Sequence, residues 1–268
     1  MLPHRSGSCG GNVSETRRIL LKLTYDGSGF CGWQKQHHQH SIQATLERAI
    51  KRMTGQDRQL VCSGRTDSGV HATSQYAHFD YEGRMSPEQI VKALNRLLDH
   101  DIRVLEARNI SLEFHARYQA YERSYKYLLA KDIVPFQRLY MGYMVNQRLF
   151  LTKLAELSVP LLGKHDFSSF AQPNPEIPNR VCDLKNIRIT EYETHFEFII
   201  TADRFLHNMV RRIVGTLANC CTKNLDPGTI AKVLAEAHPK QTLVVPAPPG
   251  GLYLIDVKYP PEYFEPRG

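Results

Sequence analysis

RILLKLTY, residues 18–25, is an apolar and β-prone run that predicts a strand, and the segments that follow it indicate how the chain folds. A loop with three glycines comes next, at residues 26–40. Ser41 then opens a helix, because apolar residues recur at helical spacing from Ile42 onward. Gly55 is suited to end that helix. The stretch therefore predicts a strand, a loop and an amphipathic helix in succession.

Strand and helix patterns alternate on both sides of a proline-richer middle stretch, residues 131–180. The predicted strands cover residues 59–63, 75–81, 102–110, 121–130, 184–190, 196–202 and 251–259, and the other predicted helices start at residues 86, 206 and 226. We therefore predict an α+β fold of two similar halves with an active-site cleft between them. Each half is a mainly antiparallel sheet with helices on one face, as in RRM or ferredoxin-like domains.

We expect a flexible N-terminal tail at residues 1–16, an N-terminal half at 17–110 and a C-terminal half at 111–268. The tail lacks the apolar region of a signal peptide, and no apolar run approaches the roughly 18 residues of a membrane span. These features favour a cytoplasmic protein with no membrane contact. The net charge is +7, from 34 Lys and Arg against 27 Asp and Glu, and indicates a polyanionic partner only weakly.

The stretch with the densest chemistry is SGRTDSGVH, residues 63–71, which follows a predicted strand and contains two glycines. Arg65 and Asp67 lie two positions apart, so their side chains point the same way if the backbone is extended there. A carboxylate beside a guanidinium stays ionised and can act as a nucleophile or a base. An arbitrary pair at this spacing is more often a turn-capping Asp with a surface Arg.

We predict that the protein needs no metal. His37, His38 and His40 cluster in the first loop, but no nearby Cys or carboxylate completes a tetrahedral set. The chain also lacks the clustered carboxylates of a metal-dependent RNA hydrolase.

The segment GRTDSGVHA, residues 64–72, resembles the catalytic segment of the tRNA pseudouridine synthase A family. The resemblance runs from about residue 19 to residue 260, with further matching motifs in the family's order. They are YDG at 25–27, GWQ at 32–34, SIQ at 41–43, FHAR at 114–117, YKY at 125–127, HDFSSF at 165–170, FLHNMVR at 205–211 and APPGGL at 247–252. There are three departures: Ser68, where alanine is usual, Asp99, where a proline is common, and Arg204, where a small or neutral residue is usual.

This resemblance implies an isomerase that converts uridine to pseudouridine at positions 38, 39 and 40 of the tRNA anticodon stem-loop. It makes Asp67 the catalytic nucleophile, acting on a flipped-out uridine. It also implies that Tyr125 packs against the target base, that Arg211 pairs with Asp67 and that Leu252 lines the pocket. Arg65 would help to displace the base and hold the RNA backbone. Because the product is an isomer of the substrate, no cofactor is needed, and the family generally works as a homodimer.

Several basic residues are candidates for tRNA phosphate contacts. They are Arg17, Arg18, Lys22, Lys35, Arg117, Arg123, Lys126, Arg138, Arg180 and Arg212. A rival interpretation is a non-catalytic RNA-binding protein built of two RRM-like halves. It would explain the charge and the α+β pattern, but it leaves the Arg65 and Asp67 segment unexplained.

Overall fold

The structure is a computed structural model, and it describes residues 15–36, 39–175, 177–238 and 241–264. The tail predicted at 1–16 therefore lies almost wholly outside the described residues, as do His37 and His38. The strands are β1 Arg17–Tyr25, β2 Val61–Cys62, β3 His71–Tyr81, β4 Ile102–Ile110, β5 Glu122–Ala130, β6 Gly163–Asp166, β7 Val181–Glu191, β8 His195–Ala202 and β9 Leu252–Lys258. The α-helices are α1 Ile42–Thr54, α2 Pro87–Leu97, α3 Leu151–Ser158, α4 Met209–Thr222 and α5 Pro227–Glu236.

The strands form one continuous sheet in the order β4-β1-β3-β9-β5-β8-β7-β6, with β2 paired to β3. All neighbours are antiparallel except β3 and β9, which run parallel through His71 opposite Tyr253 and Ala72 opposite Leu254. The predicted α+β class with mainly antiparallel pairing is confirmed. Strand β9 lies between β3 and β5 and so joins the strands of the first part of the chain to those of the second. The domain boundary predicted at residue 110 stays a prediction.

The helix ends follow the predicted local signals. The Ser41 side chain accepts a hydrogen bond from the Ala44 N–H at the start of α1, and Gly55 ends the helix at φ +75°. Ser86 and Gln89 form the predicted capping box at the start of α2. Both features were readable because they depend only on neighbours a few residues away.

The structure differs from the prediction in several places. Strand β3 begins at His71 and not at residue 75, and β2 covers two residues where five were predicted. The middle stretch contains helix α3 and strand β6, neither of which the sequence pattern indicated. Helix α4 begins at Met209 and not at residue 206, because Asn208 adopts a left-handed conformation, φ 64°. Residues 206 and 207, which precede α4, therefore do not continue the helix.

The core extends through both halves without interruption. Trp33, Phe79 and Phe114 are fully buried in the first part, and Phe167 and Phe198 in the second. Within the described ranges, no helix is long and apolar enough to span a lipid bilayer.

Candidate active site

The loop between β2 and β3, residues 63–70, is fixed from beneath by buried polar side chains. The hydroxyl groups of Tyr25 and Thr66 lie 2.8 Å apart and share a hydrogen bond. Gln75, fully buried, donates from Nε2 to the carbonyl oxygen of Gly64 at 2.8 Å. Buried polar groups that are all paired hold one arrangement strongly. The backbone on both sides of Arg65 is thus attached to the sheet.

A second loop packs directly against this one. The Trp33 N–H donates to the Thr66 carbonyl oxygen at 2.9 Å, and the Ser68 hydroxyl donates to the Phe30 carbonyl oxygen at 3.2 Å. Gly32 has φ +94°, and a Cβ there would lie 2.7 Å from the Thr66 carbonyl oxygen. Only glycine allows this approach. Ser68, one of the three departures from the family pattern, therefore adds a hydrogen bond to the contact.

Of the two glycines within residues 63–71, only Gly69 has a positive φ, +75°. Its N–H donates to the Phe30 carbonyl oxygen at 3.3 Å, and the Val70 N–H donates back to the Asp67 carbonyl oxygen at 3.2 Å. The turn that follows Asp67 thus depends on Gly69. Gly64 does not need glycine's conformational freedom, although sequence reasoning gave the two glycines equal weight.

Asp67 contacts one arginine and one histidine, from helix α4 and from the segment just before it. Arg211 Nη1 lies 3.6 Å from Asp67 Oδ2, and His207 Nε2 lies 3.1 Å from Asp67 Oδ1. The Asp67 side chain keeps 23% of its surface exposed, so it remains open to a substrate. The structure therefore brings Asp67 and Arg211 together, as the resemblance implied.

Arg211 is itself rigidly placed. Its Nε donates to the Ala247 carbonyl oxygen at 2.8 Å, and its Nη1 donates to Asn208 Oδ1 at 2.7 Å. Arg65 behaves differently. Its side chain is exposed and makes no hydrogen bond or ion pair with the described residues. The arginine that neutralises Asp67 is thus Arg211, and Arg65 is left available for a ligand.

His207 is a site residue that sequence reasoning did not single out. The hydrogen bond and the charge of Asp67 raise its pKa, which partial burial and the nearby Arg211 and Arg212 oppose. The imidazole is therefore held in its protonated form more strongly than a free histidine. The available signal was its position in FLHNMVR, four residues before Arg211, but the left-handed Asn208 that turns it toward Asp67 was not evident.

Tyr125 lies on β5, almost fully buried, with its ring edge-on to Phe205 at a centroid distance of 5.0 Å. Burial raises the pKa of Tyr125 far above its ordinary range, and the negative charge of Asp67 adds to the rise. The phenol therefore stays neutral and can serve as an aromatic wall or a hydrogen-bond donor. Leu252, also buried, pairs with Tyr127 across β5 and β9, two pairs along from Tyr125 and Leu254.

Three basic side chains proposed for phosphate contact are engaged within the protein. Arg123 donates to the carbonyl oxygens of four residues, Ser63, Arg117, Ala120 and Asp203, at 2.7–3.1 Å. Arg18 binds Asp80 and two carbonyl oxygens, and Arg17 donates to two carbonyl oxygens. These arginines stabilise the fold and are poorly placed to bind RNA. Arg117 is exposed, and Arg212 has a buried Nε without a hydrogen-bond partner.

The site thus presents a carboxylate, an arginine, a histidine whose pKa is raised, and a neutral phenol. This set can supply a nucleophile or a general base together with stabilisation of negative charge. Among the residues that the structure describes, no group of three or more His, Cys, Asp or Glu is arranged to hold a metal ion.

Comparison with known proteins assigns this arrangement to a family. The sequence profile of the tRNA pseudouridine synthase family matches residues 23–119 and 157–260. The tRNA pseudouridine synthase A of Bacteroides fragilis is 36% identical over 251 residues, covering 93% of this chain and 99% of its own. That of Caldicellulosiruptor saccharolyticus is 37% identical, covering 91% and 100%, and that of Chromobacterium violaceum is 38% identical, covering 92% and 94%.

Similarity to a solved structure is far weaker. A chain of a Cbf5-Nop10-Gar1 complex aligns with a TM-score of 0.36 at 10% identity, covering 88% of this chain and 58% of that one. We draw nothing from that alignment. The sequence matches extend over most of the chain, including the loop of Asp67 and the helix of Arg211. The chain belongs to the tRNA pseudouridine synthase family and is a pseudouridine synthase.

Proposed function

We propose that this enzyme converts uridine to pseudouridine at positions 38, 39 and 40 of the tRNA anticodon stem-loop, with Asp67 as the nucleophile. The observation that carries the proposal is the pairing of a partly exposed Asp67 with Arg211 and His207. Arg211 places a positive charge beside the carboxylate, and the contact with Asp67 raises the pKa of His207, which favours the protonated imidazole. The carboxylate of Asp67 is also partly exposed, so a nucleotide can reach it.

The remaining roles follow from the placement of each side chain. Tyr125 provides an aromatic wall for a base that has been flipped out of the RNA. Arg211 holds the carboxylate, and Leu252 belongs to the apolar lining. Arg65 is exposed and unpaired within the described part of the chain. It would help to displace the target uridine and would contact the RNA backbone.

The reaction breaks the bond between ribose C1′ and uracil N1 and forms a bond between C1′ and C5. The C5 proton is lost and a proton is gained at N1, so the atoms balance without an oxidant or a cofactor. A cytoplasmic homodimer completes the proposal, since substrate tRNA is found in the cytoplasm. Light scattering in solution tests the dimer, and a monomeric mass contradicts it.

The decisive experiment is mapping of pseudouridine in tRNA treated with purified protein, with EDTA present and no added cofactor. Transcripts with a single uridine at position 38, 39 or 40 test each position separately. Asp67→Asn, which is nearly isosteric, should abolish the product while tRNA binding largely survives. Asp57→Asn is the matched control, because Asp57 is highly exposed and pairs only with Lys51. Normal turnover by Asp67→Asn would show that Asp67 is not the nucleophile.

A non-catalytic RNA-binding function is the second candidate that the sequence left open. The family assignment argues against this function. A protein that only binds RNA would also have no use for the pairing of Asp67 with Arg211 and His207. Binding of tRNA by the wild-type protein without any pseudouridine would favour it.

A further inference from the structure

Tyr118 is an exposed aromatic residue that is nevertheless held in a fixed position. It lies in the turn between β4 and β5, with 75% of its surface exposed. Its ring stacks on the imidazole of His115, with centroids 4.2 Å apart and planes 26° apart. The guanidinium of Arg117 lies 5.8 Å from the ring centroid. One face of the Tyr118 ring is therefore covered, and much of its surface is open to solvent.

The turn that carries Tyr118 is internally tied. The N–H groups of Tyr118 and Gln119 both donate to the His115 carbonyl oxygen at 3.1 Å. The Gln119 side chain accepts from the His115 N–H at 2.6 Å, and His115 packs edge-on against buried His78 at 5.2 Å. A ring ordered in this way loses little further conformational entropy when a ligand stacks on it.

The turn is attached to the loop that carries Asp67. Arg123 Nη2 donates to the Arg117 carbonyl oxygen at 2.8 Å and to the Ser63 carbonyl oxygen at 3.1 Å. Burial raises the pKa of the Cys62 thiol to about 12, and the nearby guanidinium groups of Arg65 and Arg117 oppose that rise. Arg65 belongs to that loop, and Arg117 directly precedes Tyr118 in the turn.

We propose that Tyr118, with Arg117 and Arg65, forms a stacking site for an unpaired base of the substrate RNA next to the target uridine. The inference rests on the proposed function, because it assumes an RNA substrate. An exposed aromatic ring beside an arginine is an arrangement that binds single-stranded RNA, since a base can stack on the ring and the guanidinium can contact a phosphate. Neither guanidinium makes an ion pair within the described residues, so both are free for phosphate.

The alternative occupant is a second copy of the chain, which would also cover an exposed tyrosine. The guanidinium of Arg117 beside the ring favours RNA, because it would repel the same turn of a second copy in a symmetric contact. A drop in the molecular mass of Tyr118→Ala in solution, relative to the wild type, would support the protein contact and overturn the proposal.

The test uses an anticodon stem-loop RNA with 2-aminopurine beside the target uridine. Stacking on a tyrosine changes the fluorescence of that base, so the signal reports the contact and does not depend on turnover. With the wild type we expect a fluorescence change on binding. Tyr118→Ala should lose it and bind the RNA about tenfold more weakly, whereas Tyr118→Phe should retain both.

Tyr192→Ala is the matched control. Tyr192 is also exposed, 46%, and its ring stacks on His195 with centroids 4.7 Å apart. It lies in the turn where β8 begins, whereas His207 and Arg211 follow the other end of β8. Equal affinity and equal fluorescence for Tyr118→Ala and the wild type would overturn the stacking site. The proposed function is tested by a different measurement, pseudouridine formation by the wild type. If that function is wrong, the wild type makes no pseudouridine in tRNA, whatever the binding data show.

Discussion

The contact between Gly32 and the loop of Asp67 allows a sharp test of how precisely that loop must be placed. We expect Gly32→Ala to reduce turnover strongly, because the new methyl group would lie 2.7 Å from the Thr66 carbonyl oxygen and 3.0 Å from the Asp67 carbonyl carbon. Both neighbours are backbone atoms and cannot rotate away. The Thr66 carbonyl is also the acceptor for the Trp33 N–H, which limits its movement.

The size of the effect follows from two contributions. Alanine at φ +94° costs about 1–2 kcal/mol of folding stability, whatever surrounds it. Ordinary contact begins at 3.4 Å, so the backbone at residues 66–68 must also retreat by roughly 0.7 Å. Since a misplacement near 1 Å costs about 100-fold in rate, we expect kcat to fall at least about tenfold.

Gly55→Ala separates the two contributions. Gly55 has φ +75°, yet its surroundings are open, with nothing within 4 Å of an added Cβ. It should therefore lose a similar amount of stability in urea unfolding while keeping normal kcat for pseudouridine formation. If Gly32→Ala also kept normal kcat, the position of the loop would not depend on this contact and our account of the site would be wrong.

Two further predictions concern charged side chains. Arg123→Met should lower the free energy of unfolding by about 3 kcal/mol or more, because four carbonyl oxygens lose a charged donor. The control is Arg65→Met at an exposed position, which should change the free energy of unfolding by under about 0.5 kcal/mol. Equal losses for the two variants in urea unfolding would contradict this. Asp67 raises the pKa of His207, so their pair stabilises the fold fully below about pH 6.5 and loses that contribution as pH rises through the raised pKa. His207→Gln should flatten this part of the stability profile, and an unchanged profile between about pH 6 and pH 9 would contradict the pairing.

Much of the fold could be predicted because it is encoded locally. The capping residues Ser41 and Ser86 and the terminating Gly55 act on backbone groups a few positions away. Strand β4 begins and ends at the predicted residues, 102 and 110, because its apolar pattern is interrupted at both ends. Helix α3 was missed, since it is short and its N-cap position holds Phe150, which makes no side-chain capping bond.

The arrangement of the two halves could not be predicted from such signals. It depends on the parallel pairing of His71 in β3 with Tyr253 in β9, which are far apart in the sequence. The His71 ring also stacks on Tyr253 at 4.7 Å, and its Nδ1 accepts from the Gly27 N–H at 3.1 Å. A residue that the sequence presented only as the end of the catalytic segment thus connects the last strand to the first loop.

The candidate site shows the same division. Asp67 was found because its neighbours in sequence are unusual, and the resemblance identified Arg211 and Tyr125 as its partners. His207 could not be recognised from its spacing alone, because a helix continuing from residue 206 would have given it a different direction. The left-handed conformation of Asn208, stabilised by bonds to Arg211 and Gln172, decides where His207 points.

The two partners of Asp67 differ in a way that suits a nucleophile. Arg211 is largely buried and keeps its orientation through Ala247 and Asn208, whether or not Asp67 is present. His207 is about half exposed, and Asp67 is the one side chain to which it is seen to bond within the described ranges. We therefore expect an entering nucleotide to displace His207 from Oδ1 while Arg211 keeps hold of Oδ2. The carboxylate would then gain a free oxygen without losing its charge partner, and this requires one rigid cation and one movable cation.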